Sequence, residues 1–287
     1  MWVIFGLISA VLNSLGNIAA KSNTKYIDPV VVSWLWIVFS MPVLVLPALV
    51  FGFSKVDDIF WIAILARTIL DTVAIILYVK SLKISDLSLT QPMLSLTPIL
   101  IIPISYFIFS DTPSIVSIAG IVLVSLGIYL NNFEKGGNLV SPFKNILKDK
   151  GVFLMFIVSI FYAFTNTLHS LGIKHSDPFT YAAIGSIALS ISLSLVVLFF
   201  RKTETVSAFR DMPILNLIKA GALEGMSFSF QLIGQSFTQA SYIVAVKRTS
   251  ILFSALLAKR SFGENIRNRI LPILIILIGV FLVVLGS

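Results

Sequence analysis

"SLGNIAAKSNTKYIDPVVV" (residues 14–32) and "AFTNTLHSLGIKHSDPFTY" (residues 163–181) are one pattern written twice. At an offset of about 149 positions Asn17 falls on Asn166, Lys25 on Lys174 and Asp28-Pro29 on Asp177-Pro178. Further along, at an offset of about 153, Asp71 pairs with Glu224, Tyr78 with Gln231, Ser88 with Ser241 and Asp111 with Glu264. Apolar segments resemble one another by chance, but polar matches held in one frame mark an internal duplication.

The 287-residue chain is 57% hydrophobic and 12% charged. A soluble chain is roughly half apolar and about a quarter charged. A mean hydropathy of +0.99 and long continuous apolar runs place the chain in a membrane, as helices rather than as a barrel. Counted at about 20 residues per crossing, the runs make about ten spans. They lie near Trp2–Ala20, Val30–Phe51, Ile59–Val79, Leu87–Phe109, Ile115–Leu130, Val152–Ile173, Phe179–Phe200, Ile214–Phe237, Tyr242–Ala258 and Ile270–Leu285. The polar link 133–150, with Gly136-Gly137, Pro142 and a short surface-helix pattern "FKNILK", separates a first five-span unit (1–132) from a second (151–287). Five is odd, so the second unit enters the membrane the other way round. The expected fold is an all-α membrane protein of about ten helices in two inverted five-helix repeats. The chain runs from Met1 into "WVIFGLISAVLNSLG" without a basic n-region, which reads as a retained first span and not a signal peptide.

Several chemistries are excluded. Without cysteine there are no disulfides or thiolate metal sites. The formal charge of +8 sits mostly in short connections between apolar runs, as membrane topology requires, so nucleic acid is not an expected partner. There is no Gly-rich phosphate loop, His-Glu-x-x-His or Gly-x-Ser-x-Gly. His169 lacks a second ligand at helical spacing. Neither an enzyme, an ATP-driven pump, a metal nor a cofactor is expected.

What remains are ionisable groups inside spans, each costing a few kcal/mol unless it faces a cavity or a partner. These are Arg67, Asp71, Glu224, Lys247 and Arg248. Arg67 and Asp71 are four apart, on one face, and read as an internal pair. Glu224 has no cation at helical spacing. Lys247 is its candidate partner from another helix, and a protonated carboxyl is the alternative; either makes Glu224 a candidate for proton coupling. In "AVKRTSILFSALLA" (245–258) Lys247 and Arg248 are adjacent, about 100° apart on a helix. Three cations against two acids leave a surplus that an anionic substrate balances most cheaply. A structural pairing with Glu224 and Asp71, or snorkelling to headgroups, are the competing readings. Among amides, Asn17 and Asn166 are expected to line the cavity because the repeat duplicates them, with Tyr78 and Gln231 as a matched pair. Asn13 and Gln235 are expected to be helix–helix contacts. Pro92, Pro98 and Pro103 predict a bent, gate-like fourth span.

Ten spans in two halves, "NIAAK" at the end of the first helix, and Gly263-Glu264 ahead of "NIRNRILPILIILIGVFLVVLGS" resemble the drug/metabolite transporter superfamily, EamA type. The first half departs mildly, with Ser110-Asp111 at the matching place. The resemblance implies a basket of ten helices moving small metabolites by alternating access. Val246-Lys247-Arg248 is similar to a segment of plastid triose-phosphate/phosphate translocators, where the Lys-Arg pair binds substrate phosphate. The expected function is a secondary transporter for a small anionic or zwitterionic metabolite: a phosphorylated compound, an organic acid or an amino acid. A hydrophobic-cation exporter using Glu224 and Asp71 is the runner-up, and a lipid-modifying or lipid-flipping factor is the reading of another class. The expected setting is the plasma or inner membrane of a prokaryote, as monomer or homodimer among lipids.

Orientation sets two arguments against each other. The resemblance implies cytoplasmic termini. Yet cations crowd the connections after spans one, three, five, seven and nine, including Lys21, Lys25, Lys144, Lys148, Lys150, Arg201 and Lys202, while the others hold little beyond Lys55 and Lys174. The positive-inside rule puts the central link in the cytoplasm and both termini outside, because the membrane potential opposes moving that basic link across.

Overall fold

The computed structural model describes residues 1–110, 114–131, 148–201, 214–264, 268 and 270–286. The central link up to residue 147, with most of its expected surface helix, and Asp111 lie outside the described residues. Every regular element among the described residues is helical. In the first half these are α1 (Trp2–Asn23), α2 (Pro29–Phe51), α3 (Asp58–Ile84), α4 (Leu87–Thr90), a 3₁₀ turn (Gln91–Ser95), α5 (Leu96–Phe109) and α6 (Ile115–Asn131). In the second they are α7 (Lys150–Lys174), α8 (Pro178–Phe200), α9 (Ile214–Gln235), α10 (Ala240–Lys247), α11 (Ser250–Phe262) and α12 (Ile270–Leu285).

The repeated Asp-Pro is one helix start made twice. Asp28 accepts from Val30 N–H at 2.8 Å, and Asp177 from Phe179 and Thr180 N–H at 2.8 and 3.1 Å. Pro29 and Pro178 occupy the first helical turn, where a missing N–H leaves nothing unpaired. Asp57 and Asp149 cap α3 and α7 in the same way.

Among the described residues, seven spans are long and apolar enough to cross a membrane: α1, α2, α3, Leu87–Phe109, α7, α8 and Ala240–Phe262. Apolar stretches at Ile115–Val124 and Ile270–Val283 are shorter, and α9 has the length but carries Lys219 and Glu224. The exterior is apolar: Phe107 is 86% exposed, and Phe199 and Leu215 are nearly as bare. Asn13, Asn17, Asn166, Gln231, Arg67, Asp71, Lys247 and Arg248 are buried, while Asn216 and Lys219 near the start of α9 are exposed. Such an inverted distribution suits hydrocarbon as the outer solvent.

Two spans are broken. Leu87–Phe109 passes through the 3₁₀ turn at Gln91–Ser95, where Pro92 supplies no backbone donor; Pro103 sits inside a continuous α5. Ala240–Phe262 breaks at Arg248-Thr249 without any proline. Tight turns close that gap, from Arg248 N–H to Ala245 O and Thr249 N–H to Val246 O, both 3.0 Å.

The helices pack α1 on α9, α3 on α7, α2 on α8, α6 on α12, α2 on α9 and α3 on α8. Exchanging the halves maps this set onto itself. At the α6–α12 crossing, a Cβ on Gly120 would meet Gly279 O at 2.6 Å and one on Gly279 would meet Gly120 O at 2.7 Å, so only glycine permits the approach. The connections sort into two ends. Asp28–Arg201 (3.7 Å), Ser85–Asp149 and Lys21–Glu264 (2.9 Å) meet at one. Asp57–His175 (2.7 Å), Ser54–Thr180 (2.9 Å) and Phe109–Lys174 meet at the other.

Candidate functional site

Between the halves lies a cavity of about 930 Å³ of empty space, part of it open to solvent. Arg67, Asp71, Glu224, Lys247 and Arg248 all line it. Helices α3, α9 and the break after α10 therefore bring together every ionisable group singled out within the spans. Trp36, Tyr78, Tyr162 and Phe228 add aromatic walls.

The five charges differ in what they touch. Arg67 Nε donates to Asp71 Oδ2 at 3.0 Å, and its guanidinium lies over the rings of Tyr181 and Phe228, 5.4 and 5.5 Å from their centroids. That pair is neutralised and walled in by π faces. Glu224 Oε2 accepts from Asn13 Nδ2 at 3.3 Å. The expected Glu224–Lys247 ion pair does not form: Lys247 Nζ donates instead to Gln231 Oε1 at 2.7 Å. Gln231 lies seven residues beyond Glu224, about 10 Å along α9, so an ammonium seated on one stands beyond contact with the other. Arg248 is 5% exposed, and its Nε has no partner among the described residues. Neither Lys247 nor Arg248 forms an ion pair there.

The amides are distributed differently from the sequence expectation. Asn13 reaches the cavity, while Asn17 stands behind it, fully buried. Asn17 accepts from Tyr78 hydroxyl at 2.7 Å and donates to Asn13 Oδ1 at 3.1 Å. An i, i+4 stripe identifies a helix face but not which member meets the space in front of it. Asn166 does line the cavity, accepting from Gln231 Nε2 at 2.7 Å and donating to Tyr162 O at 2.6 Å. Gln235 donates to Asn166 O and Ser170 Oγ at 2.7 and 2.8 Å, outside this cavity. His169 contacts the Tyr181 hydroxyl at 3.0 Å, and no metal-holding cluster occurs among the described residues.

The contacts repeat across the halves. Gln91 Nε2 donates to the Tyr78 hydroxyl (2.9 Å), which donates to Asn17. Lys247 donates to Gln231, which donates to Asn166. Each chain runs from a broken span, through the third helix of its half, to the first. Gln91 was missed in the sequence; its only signal is its place beside Pro92.

Apolar helices with buried charges around an inter-half cavity suit a multi-pass membrane transporter. Residues 1–133 and 149–285 each match the family model for the EamA-like transporter family. The chain belongs to that family, within the drug/metabolite transporter superfamily. Comparison with curated proteins gives no match. One crystal structure of a protein at 15% identity superposes with a TM-score of 0.73, over 99% of this chain and 96% of its own. That is likeness of fold.

Proposed function

We propose that the protein is a secondary transporter of ten spans in two inverted repeats, carrying a small anionic or zwitterionic metabolite by alternating access. The sorting of connections into two ends, the exchange symmetry of packing and the mirrored hydrogen-bond chains support the inverted reading. One observation carries the substrate reading: Arg248 lines the cavity with a buried guanidinium nitrogen, Nε, that has no hydrogen-bond partner among the described residues. A buried unpaired cation is costly, and an acid group of the substrate removes that cost. Lys247 stands next to it, and Glu224 is available to an ammonium group, so phosphorylated compounds, organic acids and amino acids fit. A hydrophobic-cation exporter fits less well, because Arg67 already occupies Asp71. Among the described residues no reactive constellation favours an enzyme or lipid-modifying factor. In this reading the protein works without cofactor in a prokaryotic plasma membrane, as monomer or homodimer, with its central link in the cytoplasm.

The deciding experiment is uptake into proteoliposomes from a panel of these acids, amino acids and lipophilic cations. The expected result is uptake of an acid or zwitterion, chemically unchanged. Uptake of lipophilic cations alone would defeat the substrate reading, and a converted product would defeat transport. A reporter active only in the cytoplasm, fused after Ser287, reads orientation: strong signal overturns the charge argument.

A further inference from the structure

The cavity holds an acid and a base that are kept apart. Glu224 and Gln231 lie on nearly the same face of α9, about 10 Å apart along its axis, and Phe228 stands between them on that face. All three line the cavity. Gln231 Oε1 accepts from Lys247 Nζ at 2.7 Å, which seats the ammonium at one end of this stripe; the Glu224 carboxyl forms the other. Arg248, next to Lys247 at the break after α10, lines the same space. The Arg67–Asp71 pair, over the Phe228 ring, adds no net charge.

Neither pole has a counter-ion among the described residues. Amides support each of them, and the two sets of amides point in opposite senses. Asn17 Nδ2 donates to Asn13 Oδ1 at 3.1 Å, and Asn13 Nδ2 donates to Glu224 Oε2 at 3.3 Å, so the dipoles run toward the acid. From Lys247 they run away: Nζ donates to Gln231 Oε1, and Gln231 Nε2 donates to Asn166 Oδ1 at 2.7 Å. Dipoles ordered in this way complement a negative group at 224 and a positive one at 247. The bond from Asn13 is long for one to a carboxylate, and it is the one hydrogen bond that Glu224 makes among the described residues.

Substrates of different charge meet these poles differently. A purely anionic molecule satisfies Lys247 and Arg248 and leaves Glu224 unpaired. A lipophilic cation does the reverse. An α-amino acid carries both charges on one carbon, too close together to reach both poles. Each charge-assisted contact takes up about 2.8 Å. About 4–5 Å then separates the ammonium nitrogen from the acid oxygen in a molecule lying in line, and more in one running alongside Phe228.

Resting on the reading of the cavity as the substrate site of a transporter, we infer that the substrate is a zwitterion whose charges stand apart. Its acid group sits at Lys247 and Arg248, its ammonium at Glu224, and the chain joining them crosses the Phe228 ring. The class is that of ω-amino acids, with about two to four methylenes between the charged groups.

Calorimetric binding to the purified full-length protein tests this with a straight-chain series: glycine, β-alanine, γ-aminobutanoate, δ-aminopentanoate and ε-aminohexanoate. Butanoate and butylamine are the single-charge controls. Affinity is expected to rise from glycine to a maximum at about two to four methylenes and to fall beyond it. The best member is expected to bind about ten- to hundredfold more tightly than butanoate. Glu224→Gln is expected to bring that member down to the level of butanoate while butanoate itself binds no worse. Lys247→Met is expected to weaken every acid and to spare butylamine. A series independent of length, a series that does not bind, or an advantage over butanoate that survives Glu224→Gln overturns the inference. If Glu224→Gln fails to fold, the length profile of the parent decides alone. Butanoate binding as tightly as every zwitterion sinks the separated charges and leaves an acid-binding cavity standing. Butylamine binding where no acid binds defeats that substrate reading as well.

Discussion

The spans Leu87–Phe109 and Ala240–Phe262 break at corresponding places for different reasons. In the first half Pro92 interrupts the backbone, and Leu94 meets the cavity. In the second half the broken span contains no proline, and the residues at the matching positions are Lys247 and Arg248. A continuous helix would aim two adjacent side chains about 100° apart; at the break both reach one space. The acids differ in the same sense. Asp71 has Arg67 one turn away, while Glu224 has Ala220 at the position corresponding to Arg67. The first half is neutralised and the second is left charged. The duplication supplies a symmetric container, and in the proposed reading the asymmetry of its charges makes one wall the binding wall.

The comparison breaks most visibly at Arg248. Arg248→Ala, and Lys247→Ala beside it, are expected to abolish measurable transport while the protein remains folded. Loss of a hydrogen bond to a charged group costs about 1.5–3 kcal/mol, which is about ten- to hundredfold in uptake kcat/KM. Ser95→Ala, at the position corresponding to Arg248, is expected to leave uptake within about twofold. Equal losses at Ser95 and Arg248 would mean that the break itself, and not its charge, is what matters. If both cation variants fail to fold, the cations are structural.

Stability is expected to answer in the opposite half. Removing one member of a buried pair leaves the other charge uncompensated, at about 3–5 kcal/mol. Arg67→Ala is therefore expected to lower the melting temperature more than Arg248→Ala does, since Arg248 has no ion pair to break. Arg67→Met with Asp71→Leu is expected to recover most of that loss. A double variant as unstable as the single one would show that the π contacts to Tyr181 and Phe228 carry Arg67.

The seven long apolar spans, the two repeats and the Asp-Pro helix starts were legible in the sequence because each depends on local hydropathy, on recurring polar positions or on a residue and its next two neighbours. The break in Ala240–Phe262 was not: "AVKRTSILF" contains neither glycine nor proline, and tertiary packing sets the turn. Charge complementarity proposed Lys247 for Glu224 but carries no distance, and the register along α9 separates them. Glu264 was visible as the repeat counterpart of Asp111 and within a family-like dipeptide, without its contacts. Its partners Lys21, Leu87 and Ser88 lie in the other half of the chain, and no periodicity connects them.

Glu264 also gives the pH dependence. Burial pushes its carboxyl up, but the Lys21 ammonium and the Ser88 N–H and hydroxyl outweigh that and hold it below the ordinary value. A depressed native pKa means stabilisation that is fully present above the ordinary value, about 4.3, and lost as pH falls through the lowered one. The melting-temperature gap between the parent protein and Glu264→Gln is expected to stay constant from about pH 8 to 6 and to close only in acid below about pH 4. A gap that closes near neutrality would mean that the carboxylate is not held by those donors.

The smallest expected effect separates the mirrored hydrogen-bond chains. Tyr78→Phe removes the hydroxyl that links Gln91 to Asn17, and Gln231→Leu removes the amide that links Lys247 to Asn166. Hydrogen bonds between membrane helices contribute about 0.6 kcal/mol each, up to about 1.7, so both variants are expected to lose about 1 kcal/mol of stability. Their transport should differ. The first chain joins neutral groups, and its loss leaves the charged wall as it was; uptake by Tyr78→Phe is expected to stay within about twofold of the parent. The second chain holds an ammonium, and without Gln231 Lys247 swings toward the nearest acceptor, Glu224 or the substrate. Gln231→Leu is therefore expected to change the substrate KM several times more than Tyr78→Phe does. Equal KM shifts in the two variants would show that the halves contribute alike, and the division into a neutral wall and a binding wall would fall.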